Sequence, residues 1–240
     1  MLKILLVPGW TYTEEKISPL WQKMRDNGYA AELLKVPGLT GEKLKEAWSL
    51  ADYARWLENE VERIDKQDDL ILIGHSNGGR IILKFLSKEI NQKRVKKVIL
   101  LDSAGLVDKR WHKVLKRDLY GVGARLGKQL TKNEKWRKIV YKVIGERDYY
   151  VAEPVMRATM AKLIEEDLRT ELQKIKVPML LVWGSEDKMT PVCLAKEMVK
   201  KLPRAELKMI KGARHTPQFT HLPETWAIVE TYLKDENGKS

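Results

Sequence analysis

Cysteine is almost missing: Cys193 is the single one among 240 residues. An internal disulfide is therefore excluded, and the chain is expected to be cytoplasmic. Cys193 sits in a helical pattern and reads as a small packed or partly exposed side chain. Long apolar runs are missing too. Near the start the longest covers residues 4–7, between Lys3 and Pro8, which is too short for a signal-peptide core or a bilayer span. No stable membrane association is expected. Four scattered histidines and one cysteine offer no cluster that implies a metal. The glycines at 74–79 match neither a phosphate loop nor a dinucleotide fingerprint, so no cofactor is expected. Internal repeats and low-complexity segments are absent.

Positive charge, in contrast, is abundant and uneven. The net charge is +12, and residues 108–147 alone hold 13 Lys or Arg against 4 Asp or Glu, a local net of +9. Such a stretch suits anionic substrates, nucleic acid or an anionic surface, or simply a solubilising helical face. It carries no nucleic-acid module and no aromatic–basic interleaving, so no nucleic-acid partner is expected. A weak pull on anionic small molecules remains open. With 43% hydrophobic residues the chain fits one globular domain carrying one insertion.

Short apolar runs at 3–7, 31–36, 70–73, 98–101, 179–183 and 207–210 read as six buried strands. Helical spacing appears between them at 14–27, 52–65, 79–90, 192–202 and 224–233, with Ser49 and Asp52 as a start signal for the second. Residues 39–49 read as a polar loop or short helix. Strands alternating with helices, each strand apolar on both faces, predict an α/β fold: a mostly parallel, six-stranded sheet with helices on both faces. Ligands of such sheets bind beyond the carboxyl ends of the strands. Residues 106–175 interrupt the alternation with helical patterns (Trp111, Val114, Leu115; Trp136, Ile139, Val140, Val143; Met156, Met160, Leu163, Ile164, Leu168). They are expected to form a helical cap inserted between core segments 1–105 and 176–240.

The segment Gly74-His75-Ser76-Asn77-Gly78-Gly79 lies where the third strand hands over to a helix. A serine between glycines at such a turn is the arrangement of a nucleophile elbow. The tight turn forces the serine into a sparsely populated backbone region, and small neighbours make room for it. The helix start points free N–H groups at the same space.

A serine hydroxyl needs a base, and the base needs an orienting carboxylate. His75 neighbours the serine in sequence and is expected to turn away from it. His112 falls in the cap. His221 precedes Pro223 and reads as a capping or packing residue. His215, in Gly212-Ala213-Arg214-His215, follows the sixth strand and lies on the functional edge, so it is the expected base. For the acid, Asp187 in Trp183-Gly184-Ser185-Glu186-Asp187 follows the fifth strand, with Glu186 expected to point outward. Asp102, in Leu101-Asp102-Ser103-Ala104, ends the fourth strand and is the rival acid.

These segments, with Val7-Pro8-Gly9-Trp10 after the first strand, resemble the α/β-hydrolase superfamily in its small lidded serine esterase-like branch. The resemblance covers residues 3–233 and is weakest in the cap. It implies Ser76 as nucleophile, His215 as general base and Asp187 as its orienting acid. It also implies an oxyanion hole from the backbone N–H groups of Asn77 and Trp10. Family members usually carry His-Gly before the oxyanion residue; here Pro8-Gly9 stands there, and proline brings no N–H. The Trp10 indole would also narrow the acyl pocket. The activity implied is hydrolysis of a small-molecule ester by a carboxylesterase-type enzyme. The alternative is a carbon–carbon bond hydrolase, lactonase or thioesterase of the same fold, or a ligand-binding hydrolase-like sensor with a slow or vestigial triad.

Overall fold

Every pairing in the sheet is parallel, and the strand order is β2-β1-β3-β4-β5-β6. The computed structural model describes residues 1–10, 14–15, 17–108 and 154–235. Its strands are β1 (Leu2–Val7), β2 (Ala30–Leu33), β3 (Asp69–His75), β4 (Val95–Leu101), β5 (Met179–Gly184) and β6 (Ala205–Ile210). The described α-helices are α1 (Ser18–Asp26), α2 (Leu50–Glu62), α3 (Asn77–Leu86), α4 (Glu89–Gln92), α5 (Pro154–Glu165), α6 (Val192–Lys201), α7 (Pro217–Thr220) and α8 (Leu222–Lys234), with a 3-10 turn at Leu172–Lys174.

Alternation along the strands builds a core on each face of the sheet. Leu5, Val7, Leu70, Leu72, Val98, Leu100, Leu181 and Trp183 pack with residues of α2, α3 and α6 on one side. Ile4, Leu6, Ile71, Ile73, Ile99, Leu101, Leu180 and Val182 pack with residues of α1 and α8 on the other. Each fully buried aliphatic side chain contributes about 1.5–3 kcal/mol. The four central strands are thus apolar on both faces, as expected. The edge strands are not: Glu32 on β2, and Lys208 and Met209 on β6, are exposed. An edge strand has a neighbour on one side only and is less completely covered.

Element ends differ from the sequence reading for local reasons. The first helix starts at Ser18 rather than 14, with Pro19 in its opening turn, where a missing N–H costs nothing. The second strand stops at Leu33, and the Val36 N–H turns to the Thr40 hydroxyl (3.1 Å). Residues 39–49 form no helix. The helix expected over 79–90 starts earlier, at Asn77, and breaks at Lys88, whose backbone is extended (φ −87, ψ 123). The Ser49–Asp52 start signal forms as a reciprocal capping box.

Of the expected cap, residues 109–153, including Trp111, His112 and Trp136, lie outside the described residues. The described part, α5, buries Met156, Thr159 and Leu163. The Trp48 N–H donates to the Thr159 hydroxyl (3.1 Å), and the Lys162 ammonium to the Ala47 carbonyl (2.6 Å). From α3, the Arg80 guanidinium donates to the Leu163 carbonyl and Lys84 pairs with Glu166. Beyond α5, Leu168, Leu172 and Ile175 join the core against the sheet. Among the described residues no helix is long and apolar enough to cross a membrane.

Candidate active site

β1 and β3 are neighbours, but β2 lies to one side of them and β4 to the other, so the connections leave this point in opposite directions. That is where a crevice opens at the carboxyl ends of a parallel sheet. Ser76 sits there, between β3 and α3, at φ 51 and ψ −117. Only Ser76 and Asp102 among the described non-glycine residues have positive φ. Such a conformation costs on the order of 1–3 kcal/mol and persists only where surrounding bonds enforce it. Here the Ser76 N–H donates to the Leu101 carbonyl (3.0 Å), and the Ser76 carbonyl accepts the N–H of Ala104 (2.9 Å) and of Arg80 (3.3 Å).

The loop after β1 presses directly on this turn. A Cβ at Gly78 would stand 2.0 Å from the Val7 carbonyl oxygen, and one at Gly9 2.8 Å from the Ser76 Cβ. Glycine at both positions lets Pro8-Gly9-Trp10 lie against the start of α3. Asn77 is the first residue of α3, so its N–H has no acceptor within the helix.

His215 follows β6 and reaches back over the sheet edge. Its Nε2 lies 2.8 Å from Ser76 Oγ, and its Nδ1 lies 2.8 Å from Asp187 Oδ2. A carboxylate only accepts, so Nδ1 carries hydrogen and donates to Asp187. The Nε2 lone pair is then left to accept the Ser76 hydroxyl. The Asp187 side chain is fully covered and that of His215 is 14% exposed. Asp187 also accepts the N–H groups of Met189 (2.7 Å) and Thr190 (3.0 Å) at Oδ1, and the Thr190 hydroxyl (2.6 Å) at Oδ2. Burial alone would raise its pKa; the His215 hydrogen bond and charge, with the Thr190 bonds, outweigh that and hold it below the usual carboxylate value.

The remaining sequence candidates divide. The Asp102 carboxyl points to the β5 end, where Oδ1 accepts the Gly184 N–H (2.9 Å), and it touches Asp187 rather than His215. Glu186 is exposed, as expected. His221 occupies the N-cap position of α8, yet its ring makes no capping bond and pairs with the Thr220 hydroxyl instead (2.9 Å). Cys193 is exposed on α6. Two contributors were not foreseen. His75 does more than flank the serine, because its Nε2 donates to the His215 carbonyl (2.8 Å). Thr190 spans the site, with its hydroxyl within reach of the Asp102 carbonyl, Asp187 and His215 Nδ1. Among the described residues no group of three or more His, Cys, Asp or Glu could hold a metal ion.

The Hydrolase_4 family model, described as serine aminopeptidase S33, matches residues 3–219. The chain belongs to this family of α/β hydrolases. Curated relatives of this α/β hydrolase include a pimeloyl-[acyl-carrier protein] methyl ester esterase of Nitrosomonas europaea. It is 38% identical over 69 residues, which is 29% of this chain and 27% of the relative. The matched stretch thus spans about a quarter of that esterase. Lipase 1 of Psychrobacter immobilis is 28% identical over 169 residues, 63% of this chain and 51% of the lipase. Among solved structures, a bromoperoxidase of Bacillus anthracis superposes with a TM-score of 0.74 at 19% identity, covering 98% of this chain and 93% of that one. This last likeness speaks to the shared fold alone.

Proposed function

We propose that this α/β hydrolase cleaves carboxylic esters of small to medium size through an acyl-enzyme on Ser76. The observation that carries the reading is the 2.8 Å approach of His215 Nε2 to a serine hydroxyl held on a strained strand-to-helix turn. In the reaction, Ser76 Oγ attacks the ester carbonyl carbon while His215 takes the hydroxyl proton. Asp187 holds the ring in the Nδ1–H tautomer and offsets the imidazolium charge. The N–H groups of Asn77 and Trp10 would receive the oxyanion, each worth about 3 kcal/mol to the transition state. Collapse breaks the ester C–O bond, and the alcohol leaves with the proton from His215. Water then repeats the sequence on the acyl-serine, which frees the acid and restores Ser76.

The names of the pimeloyl ester esterase and the lipase support an ester bond as the target. The aminopeptidase in the family's description favours a different one. An aminopeptidase needs a carboxylate placed to hold the substrate ammonium. Among the described residues, buried Asp187 bonds His215 and buried Asp102 bonds the Gly184 N–H, so neither is placed to hold an ammonium.

The test is a panel of simple esters of increasing acyl length, with an amino-acid anilide beside them and Ser76→Ala as control. Ester turnover that disappears in Ser76→Ala supports the reading; turnover of the anilide alone contradicts it. Running anionic and neutral esters at low and high salt checks the proposed pull of the basic segment, since a steered rate falls with ionic strength.

A further inference from the structure

Asp102 ends β4 and Asp187 follows β5, the adjacent strand, and their side chains meet there. Asp102 is 0% exposed. Its backbone is held at φ 41, a region few residues other than glycine adopt, by an N–H bond to the Val182 carbonyl (3.0 Å). One carboxyl oxygen, Oδ1, accepts the Gly184 N–H; the other, Oδ2, is buried with no donor aimed at it among the described residues. A bare carboxylate oxygen in that position would be an uncompensated buried charge.

Two carboxyl groups in contact in a buried site do not both ionise. The hydrogen bonds decide which one does. Asp187 receives two backbone N–H groups, the Thr190 hydroxyl and the His215 Nδ1–H. Asp102 receives one backbone N–H. Burial, and after it the charge of Asp187, push the Asp102 carboxyl well above the usual range. The titratable groups facing it among the described residues are Asp187 and, past that, His215.

We propose that Asp102 keeps its proton, donates it to the Asp187 carboxylate and so acts as a positioning residue that fixes the charge orienting His215. This rests on the reading of Ser76, His215 and Asp187 as the reacting groups. Thr190 fits the arrangement. Its hydroxyl has one hydrogen and two acceptors, the Asp102 carbonyl (3.1 Å) and Asp187 Oδ2 (2.6 Å). The shorter distance and the charge give that hydrogen to Asp187, in line with Asp187 as the ionised member of the pair.

Infrared difference spectroscopy on the full chain tests the idea without any substrate. At neutral pH the wild type should show the C=O stretch of a protonated carboxyl, and Asp102→Asn should lack it. Kinetics add a second readout. Asp102→Ala should lose about tenfold in kcat with little change in KM, while Asp102→Asn, whose amide still donates, should recover most of that loss. If Asp102→Ala does not fold, the infrared band and the Asn variant decide. Absence of the band, or equal damage in both variants, overturns the proposal. The band without Ser76-dependent ester turnover would sink the esterase reading alone. Ser76-dependent turnover without the band would sink the positioning role alone.

Discussion

The ring of His75 donates from Nε2 to the backbone carbonyl of His215 at 2.8 Å, and the two ring centroids stand 5.1 Å apart. The residue before the serine therefore pins the residue that faces it. A carbonyl cannot donate, so His75 must carry its hydrogen on Nε2. Replacing His75 by Ala should lower kcat by roughly tenfold with KM little changed, because a loosened His215 loses alignment rather than substrate contact. Steady-state kinetics decide it; a change confined to KM would place His75 in the substrate pocket instead.

Asp187 and Asp102 should respond differently to the same substitution. Asp187→Asn presents an amide to His215 Nδ1 and favours the wrong tautomer, so kcat should fall by roughly 10⁴. Asp102→Asn should fall by less than about tenfold. The reverse order would make Asp102 the orienting acid.

Stability against pH separates the two acids as well. Asp187 is held below its unfolded value of 3.8, so its contribution is present above that pH and fades as acid takes the pH through the folded value. Asp102 is held above 3.8, so the folded state binds the extra proton and its contribution falls as pH rises from there. Asp102→Asn removes only the second effect. Its melting temperature, compared with the wild type, should therefore gain between about pH 5 and pH 8. A difference that stays flat over that range contradicts the assignment.

At the start of α2, the Ser49 hydroxyl accepts the Asp52 N–H (3.3 Å), and Asp52 Oδ2 accepts the Ser49 N–H (2.8 Å). The Ser49 bonds hold Asp52 below the usual carboxylate range. Ser49→Ala should cost about 1 kcal/mol, read as a loss of about 2–4 °C in melting temperature. No loss would mean that packing of Leu50, Tyr53 and Leu57 holds the helix start unaided.

Arg80, one turn after Ser76, is buried, and burial lowers its pKa to about 10. Its bond to the Leu163 carbonyl ties α3 to the end of α5. Arg80→Ala should destabilise the fold by about 1–3 kcal/mol and speed proteolysis within 154–165. Unchanged cleavage there would show that Lys84 and the buried face of α5 suffice.

Local patterns carried much of this architecture. Short continuous apolar runs exposed the four central strands, and each of Ser76, Asp187 and His215 could be placed because it follows its own strand. What escaped was non-local. The bond from His75 to His215 joins residues 140 apart in sequence, and no spacing rule anticipates it. Thr190 acts through three partners that meet only in the folded chain. The break at Lys88 left no glycine or proline to mark it, and the edge strands differ because only the finished sheet decides which strands are edges.

The central claim is that Ser76 forms the covalent intermediate. Incubation with a fluorophosphonate ester, followed by peptide mass spectrometry, tests it most directly. One adduct per chain on Ser76, formed in step with loss of ester turnover and abolished in both Ser76→Ala and the unfolded chain, is the predicted result. Full ester turnover in folded Ser76→Ala, or an adduct elsewhere while Ser76 stays free, would contradict it.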